Sequence, residues 1–299
     1  MMKKSVLIFL LTIFIIITLY GCAGRDVDTT NRNWRTGSRG IEMRFQTGSP
    51  PYQAYDRDKI DIALELWNRG AEPLIGDIYL TGFDPSIFRG ITTRPIPFSI
   101  LESKTQYNDE GGFDTIRETG TIAVPYGVDT FSTRIDAVAC YPYQTIATVA
   151  ICIDPEPNKN DNNDPCRPGS YGSGTQAAPV AITSVDVEST PTKAIFRINI
   201  KNVGVGTILD IGKIERCLDS DIVPADMNWV DILDARVGNS QYLQCEPSNP
   251  VKLPDGSGRI NCWLDNPQGN TAYTSTLTLR MVYGYIEEIS TNVELRSSI

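Results

Sequence analysis

Apolar and polar residues alternate along much of the chain after residue 40. In Ile60-Asp-Ile-Ala-Leu-Glu-Leu66, the side chains of Ile62, Leu64 and Leu66 fall on one side and those of Asp61 and Glu65 on the other. This period of two marks a β-strand with one wet face. Asn68-Arg-Gly70 ends the run with residues that tolerate left-handed backbone, and residues 74–80 begin the next strand. Ile41-Glu-Met-Arg-Phe45 alternates in the same way until Gly48-Ser-Pro-Pro51 breaks it. Outside the first two dozen residues no long stretch carries a 3.6-residue apolar period. The best helical candidates are short, residues 84–88 and 225–235, where Met227, Val230 and Leu233 would share a face.

The pattern occurs twice. Phe196-Arg-Ile-Asn-Ile-Lys-Asn202-Val-Gly204 lies over Ile62-Ala-Leu-Glu-Leu-Trp-Asn68-Arg-Gly70 without a gap, with Asn202 on Asn68 and Gly204 on Gly70. Ile135-Asp-Ala-Val-Ala-Cys-Tyr141-Pro-Tyr143 matches Leu277-Thr-Leu-Arg-Met-Val-Tyr283-Gly-Tyr285, and each is followed by a further apolar run. Each of these reads as two strands joined at a Tyr-x-Tyr corner. Two motifs in the same order at similar separation point to a duplicated domain. The fold class predicted is all-β, two tandem β-sandwiches.

The chain opens on a different pattern. Lys3 and Lys4 precede an apolar run over residues 5–20, then Gly21-Cys22-Ala23-Gly24, with no further charge until Arg25. A positive end, an oily core and a small-residue step are the layout of an export signal, which places the remainder outside the cytoplasm. Residues 1–24 are therefore read as signal peptide or membrane anchor and residues 25–39 as a flexible stalk. Residues 40–167 and 179–299 are the two sandwiches, and the Gly, Ser and Pro-rich residues 168–178 the linker. Leu19-Tyr20-Gly21-Cys22 resembles the lipobox of lipoprotein signal peptides, which would make Cys22 the lipidated residue. Uncleaved, the same run is about long enough to span a bilayer.

Composition narrows the chemistry. The formal charge is −9 and the basic residues are scattered, which argues against a nucleic-acid partner. The chain has no histidine, so the Ser-His-Asp and Cys-His arrangements are excluded, along with the commonest transition-metal ligand. Besides Cys22 there are Cys140, Cys152, Cys166, Cys217, Cys245 and Cys262, an even set that favours disulfides in an exported protein. Cys152 with Cys166, and Cys245 with Cys262, would staple the bases of two loops. Cys140 and Cys217 are then left as a cross-domain bridge, two free thiols or a sign of wrong pairing.

Ile198-Asn-Ile-Lys-Asn202-Val-Gly204-Val-Gly206, with Leu64-Glu-Leu66-Trp-Asn68-Arg-Gly70 in the first half, resembles the strand-and-turn signature of immunoglobulin-like modules of the CARDB type in archaeal and bacterial surface proteins. That resemblance implies an immunoglobulin-like fold and a surface, binding or spacer role, and it brings no catalytic residues.

Candidate sites are few. Trp67 falls on the outward face of its strand and is the first contact candidate, followed by Tyr141 and Tyr143. The oxygen-rich loop from Asp154 to Asp164 lacks the glycine and closing carboxylate of a calcium loop, and reads as a solvated, disulfide-pinched excursion. Glu287 with Glu288, or Asp219 with Asp221, would serve as acid and base only if they faced each other across a cleft. The function expected is that of a membrane-tethered structural, adhesion or scaffold protein. Its partner would be an envelope protein or extracellular polymer, and no catalytic residue, metal or cofactor is predicted. The rival readings are an accessory or substrate-binding subunit with a deep interdomain cleft, and a His-free hydrolase.

Overall fold

Two strands of 24 residues each, Thr130–Ile153 and Tyr273–Arg296, run antiparallel along their whole length. Odd-numbered residues of both, from Ile135 to Ile153 and from Leu277 to Leu295, keep to one face, and this face is the core. The register is unbroken from the Tyr273–Ile153 pair to the Arg296–Thr130 pair, so the alternation never changes sides. At the usual rise per residue each strand extends roughly 80 Å. The computed structural model describes residues 34–159 and 164–297, and Trp34–Ile299 forms one compact unit. The leader, Cys22 and the stalk as far as residue 33 lie outside the described residues.

In chain order the strands are β1 (Ile41–Phe45), β2 (Gln53–Tyr55), β3 (Lys59–Asn68), β4 (Leu74–Thr81), β5 (Phe88–Arg89), β6 (Ile96–Leu101), β7 (Phe113–Ile122), β8 (Thr130–Ile153) and β9 (Ser170–Gly172). There follow β10 (Val180–Ser189), β11 (Lys193–Asn202), β12 (Thr207–Leu209), β13 (Trp229–Val237), β14 (Gln241–Tyr242), β15 (Gln244–Glu246), β16 (Val251–Lys252), β17 (Ser257–Asp265) and β18 (Tyr273–Arg296). A nine-stranded sheet is built around the β8–β18 pair, with β4 and β6 on the β8 side and β13 and β14 on the β18 side. The four-stranded sheet β1-β3-β7-β5 serves the first half and the five-stranded sheet β15-β17-β11-β10-β9 the second. One hydrophobic core joins all three sheets, from Ile62, Leu64 and Leu66 of β3, through the odd positions of β8 and β18, to Phe196, Ile198 and Ile200 of β11. The architecture is all-β.

Several expectations change. The Tyr-x-Tyr motif is not a corner, because β8 and β18 each pass straight through it. Pro142 and Gly284, which read as turn signals, are directly paired. The β4 ladder on β8 ends at the Asp77–Cys140 pair, leaving Pro142 where a strand without an N–H is tolerated. Residues 225–235 are not helical. They are a 3-10 turn at Pro224–Asp226 followed by β13. Val230 is buried and Leu233, at the register shift between Ile232 and Asp234, is exposed, so the three-residue spacing of Met227, Val230 and Leu233 does not mark a shared face. Residues 84–88 are a turn leading into β5.

Residues 168–178, read as a linker, contribute β9 and bury Gln176, Ala177 and Ala178. The Gln176 side chain donates to the Ile182 carbonyl and accepts from its N–H, taking the place of a strand neighbour along β10. The last residues read as stalk are tied to the body as well. Lys104 Nζ donates to the Thr36 carbonyl and Thr175 Oγ1 to that of Arg35.

Three disulfides are present: Cys140–Cys217, Cys152–Cys166 and Cys245–Cys262. The first joins β8 to residues 210–228, a segment that interrupts the β12–β13 course along β18. That segment packs Cys217, Ile214, Ile222 and Met227 against Val138 and Cys140 on the face of the large sheet away from the main core.

Candidate functional site at the four-tyrosine junction

Where the four- and five-stranded sheets meet over the large one, Tyr141 and Tyr143 of β8 stand opposite Tyr285 and Tyr283 of β18. Their rings form a closed square, with centroids 5.9 to 6.3 Å apart along each side. All four are buried. Tilted and edge-on contacts of this kind suit the ring quadrupoles, and the space between the halves is filled by aromatic carbon.

Each hydroxyl is satisfied by the strands and turns around it. Tyr143 Oη donates to the Ala177 carbonyl (2.9 Å) and accepts from Ala71 N–H (3.1 Å). Tyr285 Oη donates to Asn202 Oδ1 (3.0 Å) and accepts from Gly206 N–H (2.9 Å). Tyr283 Oη accepts from Val180 N–H (3.1 Å) and sits 2.9 Å from Thr145 Oγ1. Tyr141 Oη accepts from Ile41 N–H (3.2 Å) and donates to Glu287 Oε1 (2.7 Å). Burial raises the pKa of every one of these phenols, so they remain neutral donors.

The repeated Asn-x-Gly turns frame the square. Asn68 Nδ2 donates to the Glu72 carbonyl (2.8 Å) while its Oδ1 accepts from Gly70 N–H (2.8 Å). Asn202 does the same with Gly206 (2.8 Å) and Gly204 (3.2 Å). Glycine is required at both turns, because a Cβ on Gly70 would collide with the Tyr143 hydroxyl and one on Gly204 with that of Tyr285. The amide side chain bonds its own following backbone, which fixes the turn against the ring.

Glu287 is the one acid at this junction with a strongly perturbed acidity. It is 6% exposed, on the core face of β18, and burial pushes its pKa up to about 7, although the Tyr141 hydrogen bond and the charge of Arg39 pull the other way. Alternation sends Glu288 to the opposite face, where it pairs with Arg134 (2.5 Å), so these two carboxylates do not face each other. Asp221 pairs with Arg216 at the surface, and the charges of Asp219 and Asp77 both act on the Tyr79 hydroxyl.

Tyr141 and Tyr143 are therefore corrected from contact candidates to buried joint residues, because a strand that continues through the motif points both rings inward. Trp67 is half-buried on the outer face of β3, 5.1 Å from the ring of Phe113, which is 55% exposed. Arg44 and Arg69 lie over the Trp67 ring at 5.3 and 5.7 Å. Arg69 also bonds Glu42 (2.6 Å) and Glu110. The patch is thus an aromatic pair held between arginines. In the second half Lys201 stands where Trp67 does, and Ser257, across the ladder from Lys201, stands where Phe113 does.

In the loop from Asp154 to Asp164, Asp154 Oδ1 accepts from Glu156 N–H and Asp164 Oδ1 from Ala272 N–H, while residues 160–163 lie outside the described residues. Among the described residues no group of three His, Cys, Asp or Glu side chains could hold a metal ion, and no helix is long and apolar enough to cross a membrane.

No protein-family model matches the chain, and no curated protein matches it significantly. Sequence reading missed Glu287 as a buried group and Phe113 as the partner of Trp67. Carrying the alternation from Leu277 to Val293 would have found Glu287, since an acid at an odd position there must enter the core. Nothing local in the sequence marks Phe113, because its partner lies across a ladder.

Proposed function

We propose that this chain is a membrane-tethered extracytoplasmic scaffold or adhesion protein. Its body would be two immunoglobulin-like sandwiches of CARDB type fused along one shared sheet, acting through non-catalytic contacts. The observation that carries this reading is the unbroken 24-residue pairing of β8 with β18, which makes the two halves a single stiff bar. A strand pair roughly 80 Å long with an unbroken register is suited to spacing and presenting surfaces, and unsuited to closing around a substrate. The Cys140–Cys217 bond, which ties β8 to the second half, supports an oxidising location. The Trp67–Phe113 patch is the contact surface this reading favours, since it is carried by one half alone.

The accessory-subunit reading needs an open cleft between the halves, and the four tyrosines fill that space. The hydrolase reading needs a second carboxylate facing Glu287, whereas the groups acting on Glu287 are Tyr141 and Arg39.

Fractionation of the native host, combined with thiol alkylation before and after reduction, tests the proposal. The chain is expected in the membrane fraction, sensitive to protease added outside the cell, and alkylated at its body cysteines only after reduction. Recovery with cytosolic proteins and freely alkylated thiols would overturn it.

A further inference from the structure

The two ends of the tyrosine square are built alike but closed differently. In the second half, Val180 N–H donates to Tyr283 Oη and Thr145 Oγ1 donates to the Val180 carbonyl (2.7 Å). Tyr283 then gives its own hydrogen to Thr145 (2.9 Å), so the ring of hydrogen bonds is complete. In the first half, Ile41 N–H donates to Tyr141 Oη, which donates to Glu287 Oε1. Glu287 holds the place of Thr145, but an ionised carboxylate only accepts, so it has no hydrogen with which to close the ring.

Its surroundings give a charge little support. Tyr141 faces it from β8 and Tyr285 is its neighbour on β18. Gly206, on the turn after β11, packs against its Cγ. Arg39, exposed on the segment that enters β1, is the cation that acts on it among the described residues. Glu288 and Arg134 occupy the other face of the sheet. A buried carboxylate with one hydrogen bond and an exposed counter-charge is better accommodated neutral.

We propose that Glu287 is a proton-operated latch at the joint: neutral, it stays buried beneath Tyr141 and the first residue of β1, and ionised, the cost of keeping its charge dry outweighs the Tyr141 hydrogen bond, turns it toward Arg39 and water and lets the entry to β1 lift. The direction of its acidity agrees, since burial moves its titration up to about 7, into the range that surroundings outside a cell traverse. The latch thereby couples ambient pH to the point where the chain enters the body.

Amide exchange on the full chain tests this, read at Ile41 and, as an internal control, at its counterpart Val180, between pH 5 and pH 8. After correction for intrinsic base catalysis, Ile41 protection is expected to fall on the order of a hundredfold across that range, because the open form ionises at the ordinary carboxylate value and the closed form does not. Val180, closed by Thr145, should hold its protection. In Glu287→Gln, and in Glu287→Thr, which copies the other half, the fall at Ile41 should vanish. A ¹³C-carboxyl titration of Glu287 should have its midpoint well above those of the exposed glutamates. The latch is overturned if Ile41 and Val180 lose protection in parallel, if the Gln variant behaves as wild type, or if the Glu287 carbon titrates with the surface acids.

Discussion

Thr145 and Glu287 hold equivalent places on β8 and β18, each beside a tyrosine hydroxyl from the opposite long strand, at 2.9 and 2.7 Å. One brings a hydroxyl and the other an acid, and this single difference makes the joint asymmetric in its response to protons.

Global stability should record the asymmetry. Because the folded-state pKa of Glu287 is raised from 4.5 to about 7, its favourable contribution is fully present below the unfolded value and is lost as pH rises through the folded one. The loss amounts to roughly 3 kcal/mol in total. Urea midpoints at pH 5 and pH 8 should therefore show Glu287→Gln close to wild type in acid and more stable than wild type in base. Equal midpoints for the two proteins at pH 8 would contradict the assignment.

Gly70 and Gly204 leave room for the hydroxyls of Tyr143 and Tyr285. Gly70→Ala and Gly204→Ala are each expected to cost about 2 to 4 kcal/mol by overpacking and by displacing a buried hydrogen bond. Tyr143→Phe introduced with Gly70→Ala should recover part of that loss, a coupling that a double-mutant cycle in denaturant measures. Purely additive losses would mean that the turn and the ring are independent.

The three disulfides close loops of different length, with sequence separations of 77 for Cys140–Cys217, 17 for Cys245–Cys262 and 14 for Cys152–Cys166. Loop-closure entropy gives about 4.5 kcal/mol for the longest and about 3 for the shortest. Paired Cys→Ala replacements should lower stability in that order. A larger loss at Cys152 and Cys166 than at Cys140 and Cys217 would show that the β8 bond does not act through chain entropy.

Trp67→Lys together with Phe113→Ser gives the first half the residues of the second. The exchange removes one aromatic pair and two arginine contacts and sets a lysine beside both arginines, so it should cost about 2 to 3 kcal/mol. A loss of stability no larger than that, read from denaturant midpoints, would leave the patch free to serve as a contact surface. A loss as large as that of a buried aromatic would make it part of the core.

Much of this fold is visible in local pattern. Leu64 and Ile198 announce matching strands, and Asn68 and Asn202 announce matching turns, because alternation and Asx geometry are decided within a few residues. Pro142 and Gly284 mark turns when read alone, so local pattern ends both long strands there, whereas the two residues are paired within the ladder. Here the tyrosines on either side gain more by entering the core than a turn would offer. The Cys140–Cys217 bond depends on residues 210–228 folding back over the sheet, a tertiary event that spacing does not encode. Glu287 was legible by parity alone, but its acidity was not, since that depends on Tyr141 and on the dryness of the joint.

The even register of β8 on β18 also determines how the molecule would meet a pull. A tug on opposite ends of the two strands loads all the rungs in shear at once, with no bulge at which tearing can start. Such a body should stay at full length under tension and then yield in a single event, as a strap does and a zipper does not.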